Sequence, residues 1–250
     1  MLKTSLHTVK VGRYNVRYQT VGVGEPIVLV HGLSGSTLWW RRNVQSLAQE
    51  HTVYLVNLPG FGEGSRRRGH FALKQAGDWL LSWMAAIGLQ QTHLIGHSMG
   101  GYICMWIAAH QPGAVQRLVL VDPAFKSQPQ SVLGYTVPLL EAVRYLKPRF
   151  FPILAYDSLR AGPLTLLQVT RDIIALDVSA EIALITAPVL LIWGENDTLV
   201  PPALGHVLRS ELATAQLVVL KRAAHVAMFD QPQAFNMLVN AFLRGETVGE

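Results

Sequence analysis

The chain of 250 residues reads as an α/β protein with a mostly parallel sheet and helices on both faces. Three observations predict this. Short, continuous apolar runs recur: Ile27–Val30, Thr52–Val56, Thr92–Ile95, Arg117–Val121, Val189–Trp193 and Leu217–Leu220. Strands that lack polar alternation need cover on both faces, as in a parallel sheet. Segments of helical period separate several of these runs, and strands alternating with helices imply right-handed crossovers. Half of the residues are hydrophobic and 15% are charged, which suits one large core and argues against disorder.

The elements follow in order. Residues 5–11 and 14–20 alternate and turn at Gly12-Arg13, which predicts a hairpin supplying antiparallel edge strands. Residues 72–87 place Leu73, Ala76, Leu80, Met84 and Ile87 at helical steps, and residues 99–110 and 232–243 do the same. Between Asp122 and Pro188 no strand-like run occurs. Pro129, Pro138, Pro148, Pro152 and Pro163 punctuate short helical stretches such as Leu139–Leu146 and Leu164–Ile174. The simplest organisation is one domain over residues 1–250, with residues 124–186 inserted as a helical cap over the carboxyl edge of the sheet.

The formal net charge is +5, but the one tight basic cluster, Arg66-Arg67-Arg68, reads as a solvated loop. No basic stripe with interleaved aromatics supports nucleic-acid binding. Cys104 is the only cysteine, which excludes an intramolecular disulfide and a multi-cysteine metal site, and fits a reducing compartment. Met1–His7 lacks the apolar run of a signal peptide, and no run of 18 apolar residues could span a bilayer. A cytoplasmic protein is expected.

The strongest chemical signal is Gly96-His97-Ser98-Met99-Gly100-Gly101, placed between a strand and a helix. The pentapeptide alone is weak, but its context is specific. A serine on a sharp strand-to-helix turn needs glycine two residues to either side, and the turn presents its hydroxyl at a helix N-terminus. A hydroxyl needs a base to become nucleophilic. His225, after the last strand, is best placed; His31 and His97 belong to other roles, and the remaining histidines read as surface or satisfied core groups. The base needs a carboxylate to hold its tautomer. Asp197, past the penultimate strand, is the leading acid, with Asp122 and Glu195 as competitors. Oxyanion donors are expected from the backbone N–H of Met99 and of Leu33, in His31-Gly32-Leu33-Ser34-Gly35.

These pieces, with Asn57-Leu58-Pro59-Gly60-Phe61-Gly62, Gly194-Glu195-Asn196-Asp197 and Ala224-His225, resemble the α/β-hydrolase superfamily over almost the whole chain. The resemblance implies an eight-stranded sheet, a variable cap and a Ser98–Asp197–His225 triad. Asn57 stands where relatives commonly carry Asp, a change expected to be structural. Serine at position 98, in place of aspartate, disfavours relatives that form an alkyl-enzyme ester. The motif looks like that of small esterases and monoacylglycerol lipases, and it overlaps carbon–carbon bond hydrolases and a related lyase. Those act on acidic substrates and need a cation in the pocket; Arg144, Lys147, Arg149, Arg160 and Arg171 of the cap are candidates. The cap is otherwise apolar, from Leu133 to Leu154, and Trp39 and Trp40 flank the oxyanion loop. Trp39, Tyr135 and Leu139 are expected to touch substrate. The reading is a hydrolase that cleaves small esters of short to medium lipophilic acyl chains through an acyl-enzyme on Ser98, with no metal or cofactor. The alternatives are carbon–carbon bond cleavage by the same triad, or a non-catalytic ligand receptor.

Overall fold

The computed structural model describes residues 2–62, 72–125 and 133–249. The basic cluster Arg66–Arg68 lies outside them. Eight strands form one sheet: β1 (Thr4–Val11), β2 (Tyr14–Val21), β3 (Glu25–Val30), β4 (His51–Val56), β5 (Thr92–His97), β6 (Val115–Val121), β7 (Val189–Gly194) and β8 (Ala215–Leu220). Their order across the sheet is β1-β2-β4-β3-β5-β6-β7-β8. The hairpin β1–β2 is antiparallel and joins β4 antiparallel, with Tyr18 opposite Val56. Every pairing from β4 to β8 is parallel.

The continuous apolar runs follow from the two-sided cover. Along β3, Val28 and Val30 enter one core and Ile27 and Leu29 the other; along β7, Val189, Leu191 and Trp193 oppose Leu190 and Ile192. Side chains alternate across a strand, so a sheet packed on both faces needs apolar residues at every position. The helices on the first face include α2 (Ala76–Ala86) and α3 (Met99–His110), through Leu80, Trp83, Ile103 and Ile107. On the second lie α1 (Val44–Leu47) and the C-terminal α10 (Pro232–Leu243), through Leu47, Phe235, Val239 and Phe242.

The segment expected as a cap, between β6 and β7, holds these α-helices among the described residues: α4 (Thr136–Tyr145), α5 (Phe151–Ala161), α6 (Pro163–Ile174) and α7 (Ser179–Ile182). Helix α8 (Pro202–Glu211) links β7 to β8, and α9 (Ala227–Asp230) precedes α10. Pro152 and Pro163 lie in the first turns of α5 and α6. There the missing N–H costs nothing, so prolines that punctuate the sequence here start helices. Phe150 and Ile153 pack into one core and Val169 into the other, which fastens the cap at two points. No helix among the described residues is long and apolar enough to cross a membrane.

Candidate active site

Ser98 joins β5 to α3 at φ 51° and ψ −117°, in the left-handed half of backbone space that L-residues rarely occupy. The surrounding bonds hold this strain. Its N–H donates to Val121 O (2.9 Å), and its carbonyl accepts from Gly101 (2.8 Å) and Ala124 (3.0 Å). The flanking glycines are sterically required. A Cβ at Gly96 would lie 2.4 Å from Gly100 O, and one at Gly100 would lie 2.3 Å from Val30 O. The turn therefore presents Oγ at the positive end of α3.

His225 reaches Ser98 from the loop after β8, its Nε2 3.1 Å from Oγ. Nδ1 faces Asp197 Oδ2 at 2.8 Å. Asp197 is buried, and its Oδ1 accepts the N–H groups of Leu199 (2.8 Å) and Val200 (3.0 Å). Three donors on one carboxylate orient it toward the ring. The competing carboxylates do not reach the His225 ring: Asp122 accepts from Gly194 N–H and lies beside Asp197, and Glu195 accepts from Arg222 N–H.

Two neighbouring histidines serve the frame. His97 points away from Ser98 Oγ, with Nε2 2.6 Å from His225 O. Burial and the nearby His225 ring hold its pKa well below the ordinary histidine value. As a neutral ring it donates from Nε2 and fixes the backbone that carries His225. This role has only a faint sequence signal, the histidine's position beside Ser98. Burial lowers His31 to about 4. Its Nε2 accepts from Leu58 N–H (3.1 Å), so Nδ1 carries the proton and donates to Gly32 O (2.9 Å). His31 thus ties the Gly32–Gly35 turn to the Asn57 turn, whose side-chain Oδ1 accepts from Thr37 N–H (2.9 Å).

A cavity of about 450 Å³ opens above Ser98 and His225. Leu33 and Trp39 form part of its wall on one side; Leu139, Phe150 and Leu154 enter from the cap. The N–H groups of Leu33 and Met99 have no protein acceptor among the described residues. Trp40 turns the other way, into the core beneath the sheet. Ile153 is also core, whereas Leu133, Val137, Leu140 and Phe151 are exposed. The Tyr135 side chain lies outside the described residues. No lysine or arginine lines the cavity among the described residues: Arg144, Lys147, Arg149 and Arg171 are exposed, and Arg160 is half-buried outside it. The acidic wall residue among the described residues is Asp230, whose Oδ2 accepts from Ala224 N–H (2.9 Å) and whose carboxyl is pushed by burial above its ordinary pKa.

Residues 25–171 match the family described as alpha/beta hydrolase fold, and residues 175–249 match one described as TAP-like protein. The chain belongs to the α/β-hydrolase family. Among its relatives is a pimeloyl-[acyl-carrier protein] methyl ester esterase of Aeromonas salmonicida, 29% identical over 92% of this chain and 99% of the relative. A membrane phospholipase A, described as a bacterial virulence factor, superimposes with a TM-score of 0.84 at 26% identity, covering 97% of this chain and 86% of the other. A thermophilic esterase from Thermogutta terrifontis gives 0.80 at 21% identity over 98% and 100% of the two chains, a likeness of fold. This α/β-hydrolase thus has esterases among its relatives.

Proposed function

We propose that the protein hydrolyses neutral, lipophilic carboxylic esters of short to medium chain through an acyl-enzyme on Ser98. The observation that carries this reading is the cavity: apolar side chains dominate it, no lysine or arginine faces it among the described residues, and it opens on Ser98 and His225. An anionic substrate entering there would lose its hydration without a cationic partner, a large cost. The ester chemistry is supported by the methyl ester esterase among the relatives.

The geometry suggests the steps. As Ser98 Oγ attacks the ester carbonyl carbon, its proton passes to His225 Nε2, and Asp197 holds the imidazolium formed. The carbonyl oxygen becomes an oxyanion beside the Leu33 and Met99 N–H groups. The C–O bond to the alcohol breaks and His225 returns its proton to that oxygen. Water then attacks the acyl carbon while its proton moves to Nε2. Cleavage of the Oγ–acyl bond returns that proton to Ser98.

The test is a substrate panel with wild type and Ser98→Ala. Neutral p-nitrophenyl butyrate should turn over, an analogue ending in a carboxylate should react at least about tenfold more slowly, and Ser98→Ala should abolish both. Faster turnover of a vinylogous diketone acid than of any ester would overturn this reading in favour of carbon–carbon cleavage.

A further inference from the structure

Outside the triad, the most unusual buried group on the active-site side is Asp157, on cap helix α5. It is 1% exposed, and its Oδ2 accepts two bonds from one short stretch of the core: Ser36 Oγ at 2.8 Å and Trp39 Nε1 at 3.0 Å. Its Oδ1 is buried with no hydrogen-bond partner among the described residues. Burial pushes the carboxyl above the usual carboxylate range, opposed by those two donors and by Arg160. A buried carboxylate with an idle oxygen is a poor way to gain stability; an apolar side chain of similar size would cost less. Its placement points instead to a role in orienting its partners.

Those partners frame the oxyanion turn. Ser36 also accepts the Leu38 N–H (3.2 Å) at the start of the 3-10 turn Thr37–Trp40. Ser34, next to Leu33, sits at φ 57°, a strained conformation for serine. One bond within the turn, Gly35 N–H to Gly32 O (3.0 Å), does not alone determine where Leu33 points. The Trp39 indole packs so closely on the turn that a Cβ on Gly35 would lie 3.1 Å from its ring. The ring is boxed in by His97 at 5.5 Å and by Phe150 of the cap at 5.0 Å between centroids. Asp157 therefore grips both ends of a short lever, the hydroxyl that follows the turn and the indole that backs it.

We propose that Asp157 is a positioning residue for the oxyanion turn, so that the cap helps assemble the site in addition to covering it. This rests on the ester-hydrolysis reading, in which Leu33 N–H meets the oxyanion. Both donors share one oxygen, which makes a specific prediction. An amide with its carbonyl in the Oδ2 position preserves both bonds, whereas a leucine preserves neither.

The experiment compares wild type, Asp157→Leu and Asp157→Asn by ester kinetics per titrated Ser98 and by the rate of fluorophosphonate labelling. Labelling passes through a pentacoordinate phosphorus centre whose phosphoryl oxygen takes up negative charge and needs the same donors, with no ester involved. Asp157→Leu should lower kcat and the labelling rate by about 10- to 100-fold, since small misplacements of catalytic groups have effects of that size. KM should change by less than about threefold, because the lost interaction belongs to the transition state. Asp157→Asn should restore both rates. A leucine variant with unaltered rates, or an asparagine variant as impaired as the leucine one, would overturn the proposal; loss of cap packing alone would lower only the melting temperature. If Asp157→Leu does not fold, Ser36→Ala and Trp39→Phe each remove one of the two bonds, and unchanged labelling in both overturns it equally. Wild type that labels but hydrolyses no ester sinks the ester reading, and Asp157 is then judged on labelling alone. Wild type that does not label sinks both.

Discussion

Asp122 and Asp197 follow neighbouring parallel strands, β6 and β7, and both are almost fully buried, yet their surroundings make them opposites. Asp197 receives two backbone N–H groups on one oxygen and the His225 ring on the other. Asp122 receives the Gly194 N–H on Oδ1 and lies against Asp197 itself, away from the His225 ring. Burial first, and then the charge of Asp197, drives the Asp122 carboxyl well above its ordinary pKa. Burial alone does not suit a carboxylate to orient a histidine. The number of donors that fix its orientation, and the side on which they leave an oxygen free for the ring, determine that.

The comparison can be broken most severely at Asp197. Asp197→Asn should reduce kcat by about 10⁴-fold through the wrong His225 tautomer, measured on p-nitrophenyl butyrate. If Asp122→Asn cost far more than Asp197→Asn, the two carboxylates would have to exchange roles. A smaller effect is expected at His97, which anchors the loop of the base. His97→Ala leaves the His225 carbonyl unpaired and should cost about 10- to 100-fold in kcat, with little change in KM.

Asp122→Asn sharpens the contrast through stability. A folded-state pKa raised above the unfolded value means that the native protein keeps a proton the unfolded chain has lost. Wild-type stability then falls as pH rises from the unfolded pKa toward the folded one. The asparagine variant lacks that dependence. It should melt higher than wild type near pH 7, and the gap should close as pH approaches the unfolded carboxylate value, about 4. Its kcat should stay within about tenfold of wild type. A melting gap that is constant with pH would show that Asp122 is ionised in the native protein. The smallest effect is expected at Glu195, which accepts the Arg222 N–H at the rim. Glu195→Gln should change stability by less than about 0.5 kcal/mol and leave kcat unaltered.

The site was legible in the sequence wherever a function depends on a residue's place at a strand end. Ser98, Asp197 and His225 each follow a recognisable apolar run, and parallel strands deliver their carboxyl ends to one edge, so three distant segments converge. The cap was less legible. Prolines that read as interruptions begin α5 and α6, and hydrophobicity did not sort its residues. Leu139 lines the cavity mouth although 57% exposed, whereas its neighbour Leu140, 70% exposed, does not. A helix packed on one side and open on the other, near a cavity, carries apolar residues on more than the buried face, and periodicity alone cannot say which are used.

Asp157 marks the limit of such reading. In sequence it is one acid in the cap helix Phe151–Ala161, and nothing local separates it from a solvated charge. Its partners lie 121 and 118 residues away. The local pattern and the steric limits of the backbone were enough to read the strands, the glycines that let the chain turn at Ser98, and the places of Ser98, Asp197 and His225 just past three strand ends. The tertiary structure alone decided which of two buried carboxylates meets the His225 ring, which side of the cap faces the cavity, and which acid of the cap meets Ser36 and Trp39. Those depend on which donors meet which acceptors across the fold, and on water excluded from between them.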